Sequence, residues 1–231
     1  MKSIKAIFVK EVKNLLKTPA VLCQFAVFPL LAFVLTELVA KRDELMPDGT
    51  FIAMFLSMFV GMTITTTIAT VIAEDREKKS LRFLVMAGVK PMEYLLGIGG
   101  AFIAAGLFVC AAFAVMNGLA GLVLVRFMGM LVLGLFSSVL LGALIGIFSK
   151  NQLTATTVGT PVGMVLGMGP MVATFDETAQ RLFSVFYTQQ ISILTNNPLA
   201  DFSRPVLVIL SNIVVLAVLF TLAYGRKGLR S

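Results

Sequence analysis

The sequence predicts an all-α integral membrane protein. It has six transmembrane helices, an N-terminal amphipathic interfacial helix, a short helix in a loop on the cytoplasmic side, and an external amphipathic helix between the last two spans. Three observations predict this. Of 231 residues, 58% are apolar and only 13% are charged, where a soluble domain is about one quarter charged. The mean hydropathy is +0.96. Six apolar runs are long enough to cross a hydrocarbon layer about 30 Å thick at about 1.5 Å per helical residue. Together they form one membrane domain over residues 1–231.

The N-terminal 1–19 segment is the first element. Ile4, Ile7, Phe8, Val12, Leu15 and Leu16 recur at helical spacing, with Lys2, Lys5, Lys10, Lys13 and Lys17 mostly off that face. Such a helix lies in the headgroup layer, where its lysines also attract anionic lipid. It is either a surface anchor or an elbow linking the first span to a cytoplasmic partner. Pro19 ends it. The spans then fall at roughly 20–40, 51–73, 94–117, 127–148, 153–175 and 205–224. The first is longer than a signal-peptide core and has no small-x-small cleavage pattern, so it reads as a retained span.

Between the second and third spans, the 74–93 loop holds a dense mixed-sign cluster. Glu74, Asp75, Arg76, Glu77, Lys78 and Lys79 continue the second helix into water. Ser80 is positioned to N-cap a new short helix carrying Leu81, Phe83, Leu84, Val85 and Met86. Gly88 suits a helix C-terminus, and Pro91 and Glu93 suit the first turn of the third span. Apolar side chains rimmed by charges of both signs form either a docking site for a protein or a loop folded back on the membrane.

The second span carries Thr63, Thr66 and Thr70 on one face. They either bond within and between helices or form the weakly polar wall of a substrate pathway. The fifth span carries Gly159, Gly163 and Gly167 at steps of four, and the fourth carries Gly142 and Gly146. These ridges permit close helix approach, within one subunit or at a seam between two copies. Pro29, Pro161 and Pro170 interrupt backbone bonding inside their helices. The 176–204 loop, with Leu182, Phe186 and Ile193 on one face, predicts a helix on or dipping into the outer leaflet.

Fourteen of the nineteen basic residues fall on one side of these six spans, at the N-terminus, the 74–93 loop, Lys150 and the C-terminal tail. The positive-inside rule places that side, and both termini, in the cytoplasm. The net charge of +7 is thereby topological, and no nucleic-acid partner is expected. The chain has no His, which excludes Ser-His catalysis and leaves Cys23 and Cys110 without zinc-site company. No catalytic residue and no metal site is expected. No G-x-x-x-x-G-K-[ST] run is present, so nucleotide is not bound that way. The one acidic group near a span interior, Glu37, reads as reaching the external interface, so no ion-coupling carboxylate is evident.

The 74–97 stretch resembles the first cytoplasmic loop of ABC-2 type permeases, the membrane subunits of ATP-binding-cassette exporters. The likeness rests on Glu74-Asp75-Arg76-Glu77-Lys78, then Leu81, Phe83-Leu84, Gly88-Val89-Lys90 and Glu93-Tyr94-Leu95-Leu96-Gly97. It departs from the family pattern at Lys79-Ser80 and at Arg82. The six-span layout and the flanking amphipathic segments agree with it. The resemblance implies a multi-pass plasma-membrane subunit acting as a homodimer or heterodimer. It also implies that the loop is a coupling helix docking a separate cytoplasmic ABC ATPase through Glu74, Arg76, Glu77, Leu81, Leu84 and Val85. This chain would hold no cofactor, with ATP and Mg in the partner ATPase. A hydrophobic or amphipathic cargo (drug-like compound, antimicrobial peptide or lipid) is expected. The rival readings are an ion-gradient-driven secondary transporter and a non-transporting membrane anchor.

Overall fold

The computed structural model describes residues 2–40, 49–80, 83, 86 and 88–227. Among these the regular structure is helical. In chain order the helices are α1 (Lys2–Lys17), α2 (Pro19–Leu38), α3 (Thr50–Glu77), α4 (Pro91–Met116), α5 (Gly121–Phe148), α6 (Gln152–Phe175), α7 (Glu177–Phe183), α8 (Tyr187–Asn196) and α9 (Ser203–Lys227). Six of them, α2 to α6 and α9, are long and apolar enough to cross a membrane. With six spans, α1 and the end of α9 share one side of the bundle, its N-terminal face.

The second span, α3, is the most enclosed, whereas α2 and α9 are mostly exposed along their length. Glycines explain its position. A Cβ on Gly142 of α5 would stand 2.6 Å from the Thr65 carbonyl oxygen, and one on Gly146 2.9 Å from that of Ala69. On the opposite side, a Cβ on Gly163 of α6 would stand 3.0 Å from Cα of Met62, and one on Gly167 3.0 Å from Cα of Met58. Both glycine ridges therefore close on the same helix, and α3 is clamped between α5 and α6. Lipid offers no hydrophobic drive between helices, so this close dispersion contact is what holds them together.

Within α3 the residues Phe59–Ile64 wind as a π-helix. Such a turn weakens the regular backbone ladder, and here a neighbour takes up the slack. Ser138 of α5 donates its hydroxyl to the Val60 carbonyl at 2.7 Å and stands 2.8 Å from the Tyr187 hydroxyl of α8. Gly61, inside the same turn, leaves room for the backbone of Gly167 and the side chain of Thr188. Ser138→Ala is expected to destabilise the chain by about 1–2 kcal/mol, since it removes the donor to the Val60 carbonyl and one partner of the buried Tyr187 hydroxyl. Thermal unfolding in detergent measures it, and an unchanged midpoint would disprove this role for the serine.

Two elements differ from expectation. The 176–204 segment forms two helices. The first, α7, has no fully buried residue, while α8 buries Tyr187, Thr188, Gln189, Gln190 and Ser192 among the spans. Its polar face points into the protein: Asn117 donates to the Thr195 carbonyl at 2.9 Å and Ser57 to that of Thr188 at 3.4 Å. Composition left open a helix lying on the leaflet or dipping into it, and tertiary partners permit the burial of α8. Likewise α5 begins at Gly121, six positions before the expected start at 127, so that Arg126 lies on the helix. Arg126 is exposed, and an arginine near a span end reaches the interface along its own stem.

Candidate functional site

The helix of α3 runs past the apolar span into the N-terminal face and ends at Glu77. Lys78 caps it, and Lys79 takes a left-handed φ of 57°. That turn sends the chain sharply away. The Ser80 hydroxyl donates back to the Asp75 carbonyl and to Asp75 Oδ1, both at 3.1 Å.

Three successive charged residues at this end, Asp75, Arg76 and Glu77, tie α3 to other elements. Asp75 is buried and accepts a 2.6 Å bond from the Tyr94 hydroxyl of α4. It also accepts from Lys10 Nζ of α1 at 3.4 Å. Lys10 in turn lies 2.9 Å from Glu11, which is 2% exposed. Partial burial by itself lowers the Lys10 pKa, but the hydrogen bond to Glu11 and the charge of Asp75 outweigh it and leave the value raised. The ammonium is thus held charged between two carboxylates.

Arg76 reaches across to α5 and donates to the carbonyls of Ile147 and, at 3.1 Å, Ser149. These are groups that a helix C-terminus leaves unpaired, and a guanidinium is suited to them. Glu77 accepts from the backbone N–H of Gln152 at 3.1 Å, at the first residue of α6. That is the complementary arrangement, a carboxylate on a positive helix N-terminus. The α5–α6 connection is therefore gripped from both ends by two adjacent residues of α3. Glu74 pairs with Lys78 along its own helix.

Beyond Lys79, Ser80, Phe83 and Met86 are helical, and Phe83 and Met86 are each 66% exposed. Three residues apart on a helix, they share a face and present an apolar pair away from the bundle. Leu81, Leu84 and Val85 lie outside the described residues. Gly88 adopts φ 78°, and Pro91 opens α4 with the Glu93 carboxylate 3.5 Å from the Lys90 N–H.

Beside this junction a cavity of about 480 Å³ opens on the N-terminal face. Lys10, Asn14, Glu74 and Lys78 edge it, and Val71 and Phe102 close its floor. Of the three candidate pathway threonines, Thr70 lines it, together with Thr67. Thr63 is fully buried elsewhere, and Thr66 faces Gly159 of α6. The hydroxyls of Thr66, Thr67 and Thr70 all bond back to α3 carbonyls one turn earlier. Thr63 lies within the π turn, whereas Thr66 and Thr70 follow it in regular helix, Thr66 against Gly159 of α6 and Thr70 at the cavity. Gly159, Gly163 and Gly167 face α3 of the same chain.

Sequence reasoning missed Lys10, Glu11, Asp75 and Tyr94 as a connected group. One signal was legible. Glu11 sits on the same helical face as Ile4, Ile7, Phe8 and Leu15, and a carboxylate in an apolar stripe calls for a partner. That stripe packs on protein: Ile7 would collide with a Cβ on Gly97 of α4 at 2.7 Å. Leu16, expected on the apolar face, is 66% exposed, because the docked face runs through positions 4, 7, 11 and 15.

Comparison with known proteins adds one match. The family model described as ABC-2 family transporter protein covers residues 41–224, from the loop after the first span to the end of the sixth. No curated protein matches the chain.

Proposed function

The chain belongs to the ABC-2 family of transporter proteins, and from that premise we propose that this permease subunit is part of an exporter. It pairs with a second permease chain, identical or related, and is driven by separate ATPase subunits docked at the 74–93 loop. ATP and its Mg ion are held by those ATPases. Both termini and the loop face the cytoplasm, which the distribution of basic residues supports.

The observation that carries this reading is the junction at the end of α3. A coupling device must receive a push and distribute it. The apolar pair Phe83 and Met86 is presented for contact, in line with Leu81, Leu84 and Val85 from the sequence. The residues just before it, Asp75 to Glu77, bond to α1, α4, α5 and α6. When ATP binding draws the ATPases together, a displaced loop pulls on all four elements at once. Arg76 and Glu77 then act chiefly by transmitting the motion, with Glu74 and Lys78 left at the surface to meet the ATPase.

The cavity beside the junction is the cytoplasmic mouth for cargo. Its charged edge and its apolar floor of Val71 and Phe102 suit an amphipathic molecule, with Thr70 and Thr67 as polar contacts. Thr70→Trp is expected to fill it and to lower cargo transport several-fold while ATPase association persists. Wild-type transport by that variant would remove Thr70 from the pathway.

The decisive experiment is co-purification from native membranes in mild detergent. An ATPase with a phosphate-binding loop is expected with the native chain. It is expected to be lost from a Phe83→Asp, Met86→Asp variant and from a Leu81→Asp, Leu84→Asp variant, each still monodisperse. Retention in both variants would place docking elsewhere. Absence from the folded native chain would overturn the coupled-exporter reading.

A further inference from the structure

The cavity beside the junction carries a charge imbalance. Among the described residues its ionisable lining is three carboxylates, Glu11, Glu74 and Asp75, and two ammoniums, Lys10 and Lys78. Glu74 and Lys78 pair with each other along α3, at the exposed rim. Glu11 and Asp75 are left inside with Lys10, whose Nζ lies 2.9 Å from Glu11 Oε1 and 3.4 Å from Asp75 Oδ1. Two buried carboxylates thus share one ammonium. Asp75 has further donors in the Tyr94 and Ser80 hydroxyls. For Glu11, only 2% exposed, Lys10 is the one partner among the described residues. At 2.9 Å that ammonium is poorly aligned, and the enclosed Oε1 receives no hydrogen bond of good geometry. A buried carboxylate with half a counter-charge is costly, and the cavity that Glu11 lines is open to a second cation. Lys10 does not bar the way. Its side chain is 49% exposed, and its flexible stem can carry the ammonium out to water.

The rest of the lining shapes that cation. Leu15, Val21, Val71 and Phe102 are apolar, and a volume of about 480 Å³ is within the range of small-molecule sites. Lys5, Lys13 and Lys17 of α1 are exposed outside the lining, where solvent screens them. An anion that entered would meet Glu11 and Asp75. We propose that this cavity binds an amphipathic cation, with its positive group at Glu11 and Asp75 and its apolar body against Val71 and Phe102. Lys10 fills the cation position in the empty cavity and swings out when the ligand arrives. The inference rests on the reading of the cavity as the mouth for cargo, and it narrows that cargo to molecules that carry a positive charge. Release of Lys10 from Asp75 also undoes a bond between α1 and the end of α3, so the arrival of the ligand is felt at the junction.

The test uses the full chain, with any co-purifying ATPase, in lipid nanodiscs. Two probes of one shape and opposite charge, tetraphenylphosphonium and tetraphenylborate, are offered at equilibrium. Binding at the cavity is the part that Thr70→Trp abolishes. Tetraphenylphosphonium is expected to bind there, about tenfold more weakly in Glu11→Gln and several-fold more tightly in Lys10→Gln, which removes its competitor. Tetraphenylborate is expected to show no Thr70-sensitive binding. Thr70-sensitive binding of both probes without dependence on Glu11 overturns the proposal and leaves the cavity as a cargo mouth. Weaker binding of tetraphenylphosphonium in Lys10→Gln also overturns it. Glu11-dependent binding of tetraphenylphosphonium without its transport upholds the cation site and removes the cavity from the cargo pathway. Absence of Thr70-sensitive binding of either probe overturns both readings. Should Glu11→Gln not fold, the sign of the Lys10→Gln effect decides, because damage to the fold weakens binding whereas loss of a competitor strengthens it.

Discussion

Replacing Gly142 by leucine is expected to prevent the chain from accumulating as a folded protein. Even the first added carbon would stand 2.6 Å from the Thr65 carbonyl oxygen and 2.9 Å from Ile68 Cβ. Neither is the loose end of a flexible side chain. Overpacking a tight contact costs about 1–3 kcal/mol where neighbours can shift. Here the neighbour is the backbone of α3, which α6 holds from the other side through Gly163 and Gly167, so a larger loss is expected. Gly129→Leu, on the same helix, is the control, because a Cβ there meets nothing within 4 Å. Membrane yield and thermal unfolding of the two variants in one detergent check the prediction. Equal, near-native behaviour of Gly142→Leu would mean that α3 and α5 are not in this contact. It would also favour the non-transporting anchor, which has no need of so close a clamp.

The second large effect is expected at Asp75. Asp75→Ala removes the acceptor for Tyr94, Lys10 and Ser80 at once. It leaves the Lys10 ammonium with Glu11 and the Tyr94 hydroxyl without the 2.6 Å bond. Breaking a buried charge from its partners costs about 3–5 kcal/mol when both are fully buried. Lys10 is about half exposed, so about 2–3 kcal/mol is expected here. Asp75→Asn, which keeps the shape and accepts from Tyr94, is expected to lose about half of that. Function separates the two roles of the residue. If the junction transmits the motion of the docked loop, Asp75→Asn retains the ATPase and its ATP hydrolysis but transports little cargo. Transport in proportion to the amount of folded protein would reduce Asp75 to a structural bond.

Both variants act at places that the sequence marks unequally. Gly142 and Gly146 are visible as a ridge four residues apart, and so are Gly159, Gly163 and Gly167. Their partner is not visible, because a glycine ridge fits any smooth helix surface and leaves seam and interior open. The structure turns both ridges onto α3. Asp75 is visible only as one charge in a run. Which element each of Asp75, Arg76 and Glu77 bonds depends on the direction of its side chain at the end of a helix, and so on where α1, α4, α5 and α6 stand.

The sequence alone determined the solvent of this protein. Twenty-residue apolar runs have few other uses, and their number, the all-helical class and the ABC-2 likeness of the 74–97 loop come from local composition and spacing. Tertiary structure decided the rest. It inserted α8, where Ser57 and Asn117 donate to the Thr188 and Thr195 carbonyls and Ser138 meets the Tyr187 hydroxyl. It wound Phe59–Ile64 as a π turn and so set Thr63 out of the phase that Thr66 and Thr70 keep. The physical reason is common to both. Helical periodicity and hydropathy are properties of one segment, whereas the satisfaction of a backbone carbonyl or a buried hydroxyl in lipid is a property of its neighbours.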